Sequence, residues 1–187
     1  MAEQVWLIRH AETEWSKSGQ HTGRTDIPLT DTGREVARAL SARLDDHEFA
    51  AILSSPLQRA RETAELASLR IDGLRDELLE WDYGDYEGRR TPEIRETRPD
   101  WYLWRDGVPG GESPDDVAER CDSLIAELLE IEGDVALVAH GHILRALAAR
   151  WVEQPASFGG RLFLVTGSIS VLGWEREARV IRRWNDA

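Results

Sequence analysis

Arg9 and His10 stand directly after the apolar run Val5-Trp6-Leu7-Ile8. Arginine offers a planar fork of donors that fits phosphate oxygens, and histidine serves as a nucleophile or proton carrier near neutral pH. The pair points to phosphoryl chemistry if partners reach the same place; a solvated strand end is the plain alternative. Three more groups follow apolar runs in the same way. Arg59 comes after Ala51-Ile52-Leu53 and Ser54-Ser55-Pro56, in the first turn of the next helix. Glu80 follows Leu78-Leu79, and His140-Gly141-His142 ends the run Val135 to Ala139. A cation in a first helical turn opposes the macrodipole, a conflict that a phosphate between the helix start and the guanidinium removes. His140 and His142 also have the spacing of a metal pair at a strand end. Metal-dependent hydrolases of that kind need further acidic ligands on strand ends, commonly in a longer barrel. This chain puts arginines there, so the metal reading is set aside.

The elements that must position these groups alternate. The apolar pattern predicts strands over 4–9, 50–54, 134–139 and 161–166, an extended segment over 74–79, and a hairpin pair over 169–174 and 178–184. Helices are expected over 33–44, with Thr32 and Glu35 in capping-box register, and over 56–67, with Ser55 as cap and Pro56 first. A further helix begins at Ser113-Pro114 and buries Val117, Cys121, Leu124, Leu128 and Ile131 along one face, which makes Cys121 an inert core residue. Residues 142–151 form another, and Thr91-Pro92 opens a shorter one. The segment 105–111, with Pro109-Gly110-Gly111, reads as a mobile loop. Alternating strands and helices imply an α/β fold of three layers, a mainly parallel central sheet flanked by helices. In such a sheet the carboxyl ends share one edge, where ligands bind, so Arg9, His10, Arg59, Glu80 and His140 converge there.

Composition narrows the function. The 187 residues suit a single domain over 1–187 with a substantial core. Acidic residues outnumber basic ones by 35 to 23, for a net charge of −12, which argues against nucleic-acid binding. Lys17 is the only lysine, so Schiff-base chemistry and a Walker-type phosphate loop are nearly excluded, and a phosphate site must be built on arginine. One cysteine makes no internal disulfide. No secretory leader or membrane span is read in the chain, and the default expectation is a cytoplasmic protein with no membrane partner. Eight tryptophans leave room for an aromatic lid or a homodimer surface.

The blocks in order resemble the histidine phosphatase superfamily, which includes cofactor-dependent phosphoglycerate mutases and broad-specificity phosphatases. They run Arg9-His10-Ala11-Glu12-Thr13-Glu14-Trp15, Thr22-Gly23-Arg24-Thr25-Asp26, Ser54 to Ala60, Glu80 to Gly88, Gly110-Gly111-Glu112-Ser113, and His140-Gly141. The resemblance implies a phosphoglycerate mutase-like fold and a nucleophilic His10 that forms a phosphohistidine. Arg9, Arg59 and His140 would hold the phosphoryl oxygens, and Glu80 would protonate the leaving alkoxide. Ser16, Thr22, Gly23, Tyr83, Gly141 and His142 match positions lining the substrate pocket. It implies a small phosphorylated metabolite as substrate and requires no metal or organic cofactor. Ala11 departs from the family's glycine; its methyl is expected to crowd the phosphate loop and tune its geometry without loss of activity, because the functional side chains remain.

Between the branches, the short region from Arg90 to Gly111 favours a phosphatase over a mutase, since the mutases carry a longer, more basic insertion there. The stretch Glu14 to Gly23 resembles the sugar-bisphosphatase branch, and Arg105 is a candidate grip for a second anion. A phospho-ligand binding module without turnover is the non-enzymatic alternative, against which the intact His10, Glu80 and His140 argue.

Overall fold

The computed structural model describes residues 2–44 and 46–187. Met1 and Asp45, which the single-domain reading includes, lie outside the described residues. The elements in chain order are β1 (Ala2–Arg9), α1 (Glu14–Ser18), α2 (Asp31–Leu44), β2 (Ala51–Ser54), α3 (Gln58–Leu66), β3 (Gly73–Leu74), α4 (Thr91–Arg95), α5 (Leu103–Asp106), α6 (Pro114–Glu130), β4 (Gly133–Ala139), α7 (Gly141–Trp151), β5 (Ile169–Glu175) and β6 (Ala178–Asp186).

The strands form one sheet in the order β3-β2-β4-β1-β5-β6. The first four are mutually parallel, β5 runs antiparallel to β1, and β6 pairs antiparallel with β5. The fold is α/β and three-layered, as expected. The period-2 alternation of strand side chains explains the layers. Val5 and Leu7 of β1, with Val135 and Leu137 of β4, face a core shared with Leu124 and Leu128 of α6 and Leu144 and Leu147 of α7. Trp6, Ile8, Ala136 and Val138 point the other way, onto Leu40 and Leu44 of α2 and Ala60 and Ala64 of α3. Neither sheet face is wetted along β1 and β4, which is why their sequences read as continuous apolar runs.

Helix starts follow local chemistry. Ser113 Oγ accepts the Asp116 amide while Asp116 bonds back to Ser113, and Pro114 takes the first helical position where no amide partner is needed. Val117, Cys121, Leu124 and Leu128 are buried on its inner face. Burial pushes the Cys121 thiol up to about 12, so it stays a protonated core group.

Five expectations need correction. Residues 161–166 are not a strand: a 3₁₀ turn spans Ala156–Arg161, and the Leu164 carbonyl is taken by Arg9 from within the site. The cap of α2 is Thr30, whose Oγ1 accepts the Gly33 amide, so the helix starts earlier than a Thr32 cap allows. Helix α3 starts at Gln58, two residues later than a first position at Pro56 requires; Ser55 Oγ does accept the Leu57 amide at 3.3 Å, and it also meets His140. Residues 105–111 are pinned: Trp101 Nε1 donates to Gly107, Asp85 N to Pro109, and Glu112 N to the Asp82 carbonyl. Of the extended segment over 74–79, only Gly73–Leu74 is strand, and Asp76–Leu78 is a 3₁₀ turn. No helix among the described residues is long and apolar enough to cross a membrane.

Candidate active site

Strand β1 sits between β4 and β5, so its carboxyl end opens at the middle of the sheet edge. The backbone continues past the strand through His10 N to the Ala139 carbonyl, which locks His10 beside the end of β4. His10 is 5% exposed. Its Nδ1 lies 2.8 Å from the Ala11 carbonyl. A carbonyl only accepts, so Nδ1 carries the proton and, in the neutral ring, Nε2 keeps its lone pair. Burial, then the charges of Arg59 and Arg9, hold His10 down to about 3. The ring is therefore neutral across the physiological range, which is the form a nucleophile requires.

Arg9 lines the same cavity as His10. One Nη donates to the Leu164 carbonyl, and its buried Nε has no partner among the described residues. An orphaned buried N–H costs free energy that an arriving anion recovers. Burial pulls the Arg9 pKa below its usual value, while the nearby Glu80 carboxylate works to raise it.

Glu80 reaches the site after the turn Asp76–Leu78, against the first turn of α7. Oε1 accepts the Trp81 and Ile143 amides at 2.9 Å, and Oε2 accepts the His142 amide at 2.9 Å. Burial alone would raise its pKa. Hydrogen bonds with His142, and the charge that His142 and His140 would carry, outweigh burial, and the carboxyl sits well below the usual range. Tyr83 packs beside it and shares a short hydrogen bond with His142 Nδ1. Burial and Glu80 push the Tyr83 phenol well above its usual value, so the phenol donates and His142 accepts.

Arg59 is fully buried. Its Nε donates to His140 Nδ1, Nη1 to the Thr25 carbonyl, and Nη2 to the carbonyls of Thr22 and Gly23, each at 3.0 Å. Those bonds occupy four of the five guanidinium N–H groups. His140 Nε2 then carries the proton and donates to Ser55 Oγ at 2.8 Å. Burial and the charge of Arg59 keep His140 neutral, well below its usual pKa.

The residues singled out from the sequence separate into two groups. Arg9, His10, Ser16, Thr22, Glu80, Tyr83 and His142 line one cavity of about 250 Å³. Arg59, His140, Gly23 and Gly141 lie outside that lining. The phosphate imagined between the start of α3 and the Arg59 guanidinium therefore has loop carbonyls in its place. Arg59 fastens the loop 22–25 and sets the field at His10. Gly23 gives its amide to Glu87 and passes so close to the Trp81 carbonyl that an added Cβ would sit 2.6 Å from it. Gly141 lets the Arg9 guanidinium lie flat on the start of α7. Ser16 Oγ is committed to a capping box with Thr13 that starts α1, a helix the sequence reading lacked. Ala11 turns its methyl into a small cluster with Leu29 and Ala37, not onto the phosphate loop, which corrects the expected crowding. Arg105 is bound to Asp106 and the Asp100 carbonyl.

Sequence reasoning missed His21, Gln20 and Thr91, which also line the cavity. The signal was weak, because loop 20–22 gains its position only by pairing with 88–90. Gln20 bridges to Arg90, and His21 N donates to the Arg89 carbonyl. Burial holds His21 down to about 4. Among the described residues no cluster of three or more His, Cys, Asp or Glu is placed to hold a metal ion.

A family model for the histidine phosphatase superfamily (branch 1) matches residues 5–187. The acid phosphatase of Mycobacterium tuberculosis is 45% identical over 177 residues, spanning 92% of this chain and 87% of that protein. The sedoheptulose 1,7-bisphosphatase of Saccharomyces cerevisiae is 38% identical over 180 residues, spanning 78% of this chain and 66% of that protein. The solved structure of an open-reading-frame product from Mycobacterium tuberculosis superposes with a TM-score of 0.95 at 41% identity, covering 99% of this chain and 98% of that one. The chain belongs to the histidine phosphatase superfamily.

Proposed function

We propose that this chain hydrolyses small phosphomonoesters through a phosphohistidine on His10, as one domain working in the cytoplasm. The observation that carries the reading is the fixed tautomer of His10. Its Nδ1–H is held by the Ala11 carbonyl, so a neutral Nε2 lone pair is available beside Arg9 and Glu80 in one cavity.

The steps balance on these residues. His10 Nε2 attacks phosphorus as the bond to the leaving oxygen breaks, with Arg9 taking charge from the equatorial oxygens. Glu80 is ionised before the substrate binds. A phosphate dianion arriving beside it raises its proton affinity, so the carboxyl takes up a proton and passes it to the leaving alkoxide. The regenerated carboxylate then accepts a proton from the attacking water while the phosphorus–nitrogen bond breaks. Arg59 and His140 act through charge and by holding His10 and the loop 22–25. A homodimer is compatible with this scheme and is not needed by it.

The phosphatase reading is supported over mutase action by the arginines of 90–105. Arg90 is paired with Glu93 and Arg105 with Asp106, and Arg98 donates to the Tyr86 hydroxyl, which leaves Arg95 as the one arginine of the four with unpartnered Nη groups among the described residues, too small a basic surface to retain a bisphosphate intermediate. The test is turnover of p-nitrophenyl phosphate in the presence of a chelator, with acid-labile labelling by radioactive phosphate. We expect release of nitrophenol, and loss of labelling in His10→Ala. Labelling that persists in this variant would remove His10 as nucleophile. Isomerisation of 3-phosphoglycerate on addition of 2,3-bisphosphoglycerate, without release of phosphate, would favour the mutase.

A further inference from the structure

A second cavity of about 150 Å³ adjoins the one in front of His10, and the two share His21, Thr91 and His142 as common walls. Its inner walls, Trp101, Leu103 and Trp104, are buried and rigidly held. Trp101 Nε1 donates to the Gly107 carbonyl, and the Arg145 guanidinium braces Trp104 at 4.8 Å from its ring. His21 stacks at 4.7 Å from Tyr83 and meets Trp101 edge-on at 5.6 Å. Among the described residues no carboxylate lines this side cavity.

Arg95, exposed, stands in its lining. Its Nε donates to the Trp101 carbonyl, while its Nη groups have no hydrogen-bond or carboxylate partner among the described residues. Arg90 and Arg105, on either side in sequence, are consumed by Glu93 and Asp106. In a chain of net charge −12, an unpaired guanidinium on an acid-free cavity is a local reversal of the field.

We propose that this side cavity receives the leaving group, and that Arg95 selects phosphomonoesters whose leaving group carries a second anion. The inference rests on the phosphatase reading above. The phosphoryl group sits at Arg9 and His10. The body of the leaving group runs along the wall that His21 and His142 form together, whose neutral rings offer hydrogen bonds to hydroxyls without repelling or attracting charge. The far anion, a phosphate or a carboxylate, then meets Arg95 at the rim. Arg95 touches only the remote end of the substrate, so its effect falls on binding more than on the chemical step.

The test compares wild type with Arg95→Gln on three probes. These are p-nitrophenyl phosphate, which has no second anion, fructose 1,6-bisphosphate and 3-phosphoglycerate. A charged hydrogen bond lost at binding predicts a rise in KM of about tenfold or more. We expect that rise for fructose 1,6-bisphosphate if the far anion is phosphate, or for 3-phosphoglycerate if it is carboxylate. The kcat values and the p-nitrophenyl phosphate KM should stay within about twofold, and Arg95→Lys should restore part of the loss. Unchanged KM for both anionic probes overturns the proposal, as does an equal rise on all three. Absence of wild-type turnover of all three probes would instead overturn the phosphatase reading itself.

Discussion

The guanidinium of Arg9 lies flat against the backbone of Gly141. A Cβ built on Gly141 would stand 3.1 Å from Arg9 Cζ, 3.2 Å from Nε and 3.3 Å from Nη2. Arg9 ends β1 and Gly141 begins α7, so the first turn of the helix serves as the floor on which the arginine rests. That floor fixes the guanidinium while Leu164 holds one Nη from the other side. The buried Nε has no hydrogen-bond partner among the described residues.

Gly141→Ala should therefore separate activity from stability. Alanine restricts the unfolded chain more than glycine does, by about 0.4–1 kcal/mol, which offsets the small displacement of Arg9, so the melting temperature should hold. The methyl must push Arg9 by a few tenths of an ångström, and the expected cost in kcat/KM on p-nitrophenyl phosphate is about tenfold, or ~1.4 kcal/mol of transition-state stabilisation. Full activity in this variant would mean that Arg9 does not need its floor.

Glu80 makes a sharper prediction, because its carboxylate accepts three backbone amides at the start of α7. Glu80→Gln keeps one acceptor oxygen and turns an NH₂ toward amide donors, so some loss of stability is expected. Catalytically, the loss should depend on the leaving group. An alkyl phosphate needs a proton on its leaving oxygen and should slow by about 10²-fold or more, whereas nitrophenol needs little and should slow far less. Equal slowing of the two substrates would reassign Glu80 to a structural part.

The sequence carried β1 and β4 plainly, because both are buried on two faces and their apolar runs end in charged or imidazole groups. It carried α6 equally well, since Ser113, Pro114 and Asp116 write a helix start in local chemistry alone. The site's convergence at one sheet edge followed from topology. What it could not carry was which donors remain free. Arg59 looked like a phosphate ligand from its place in a first turn, yet three loop carbonyls that lie 34 to 37 residues away in sequence claim it. His21 was invisible for a related reason: its position depends on pairing between loops 20–22 and 88–90. The segment 161–166 was apolar enough to read as a strand, but its carbonyls go to side chains and not to a ladder: Leu164 to Arg9, Phe163 to Trp184 and Val165 to Ser168.

Ala11 tests how far a departure from the family's glycine is felt. Its methyl is fully buried with Leu29 and Ala37, while its amide donates to Thr63 Oγ1 and its carbonyl holds His10. Ala11→Gly removes a buried methyl and adds backbone freedom, for an expected loss of about 1–2 kcal/mol of stability. Turnover should change by less than about twofold, because the backbone groups that fix His10 remain. A large gain in activity on chemical denaturation-matched samples would show that the methyl does crowd the loop.

Acid should weaken the fold before it protonates His10. His10 is held down to about 3 and His21 to about 4, against an ordinary value of 6.5. As pH falls from 6.5 to 4, the unfolded chain takes up a proton at each of these positions and the folded chain does not. The unfolded state is thereby favoured, by about 1.4 kcal/mol per pH unit for each histidine at full effect. His140 and His142 are shifted in the same direction and add to the slope. Urea unfolding measured from pH 7 to pH 4 should show stability falling steadily with acid. In His21→Phe the aromatic packing on Tyr83 and Trp101 is kept and one titrating group is lost, so the slope should flatten by up to that amount per unit. An unchanged slope in this variant would mean that His21 titrates in the folded protein as it does in the unfolded chain, and that the cavity wall it forms is open to water.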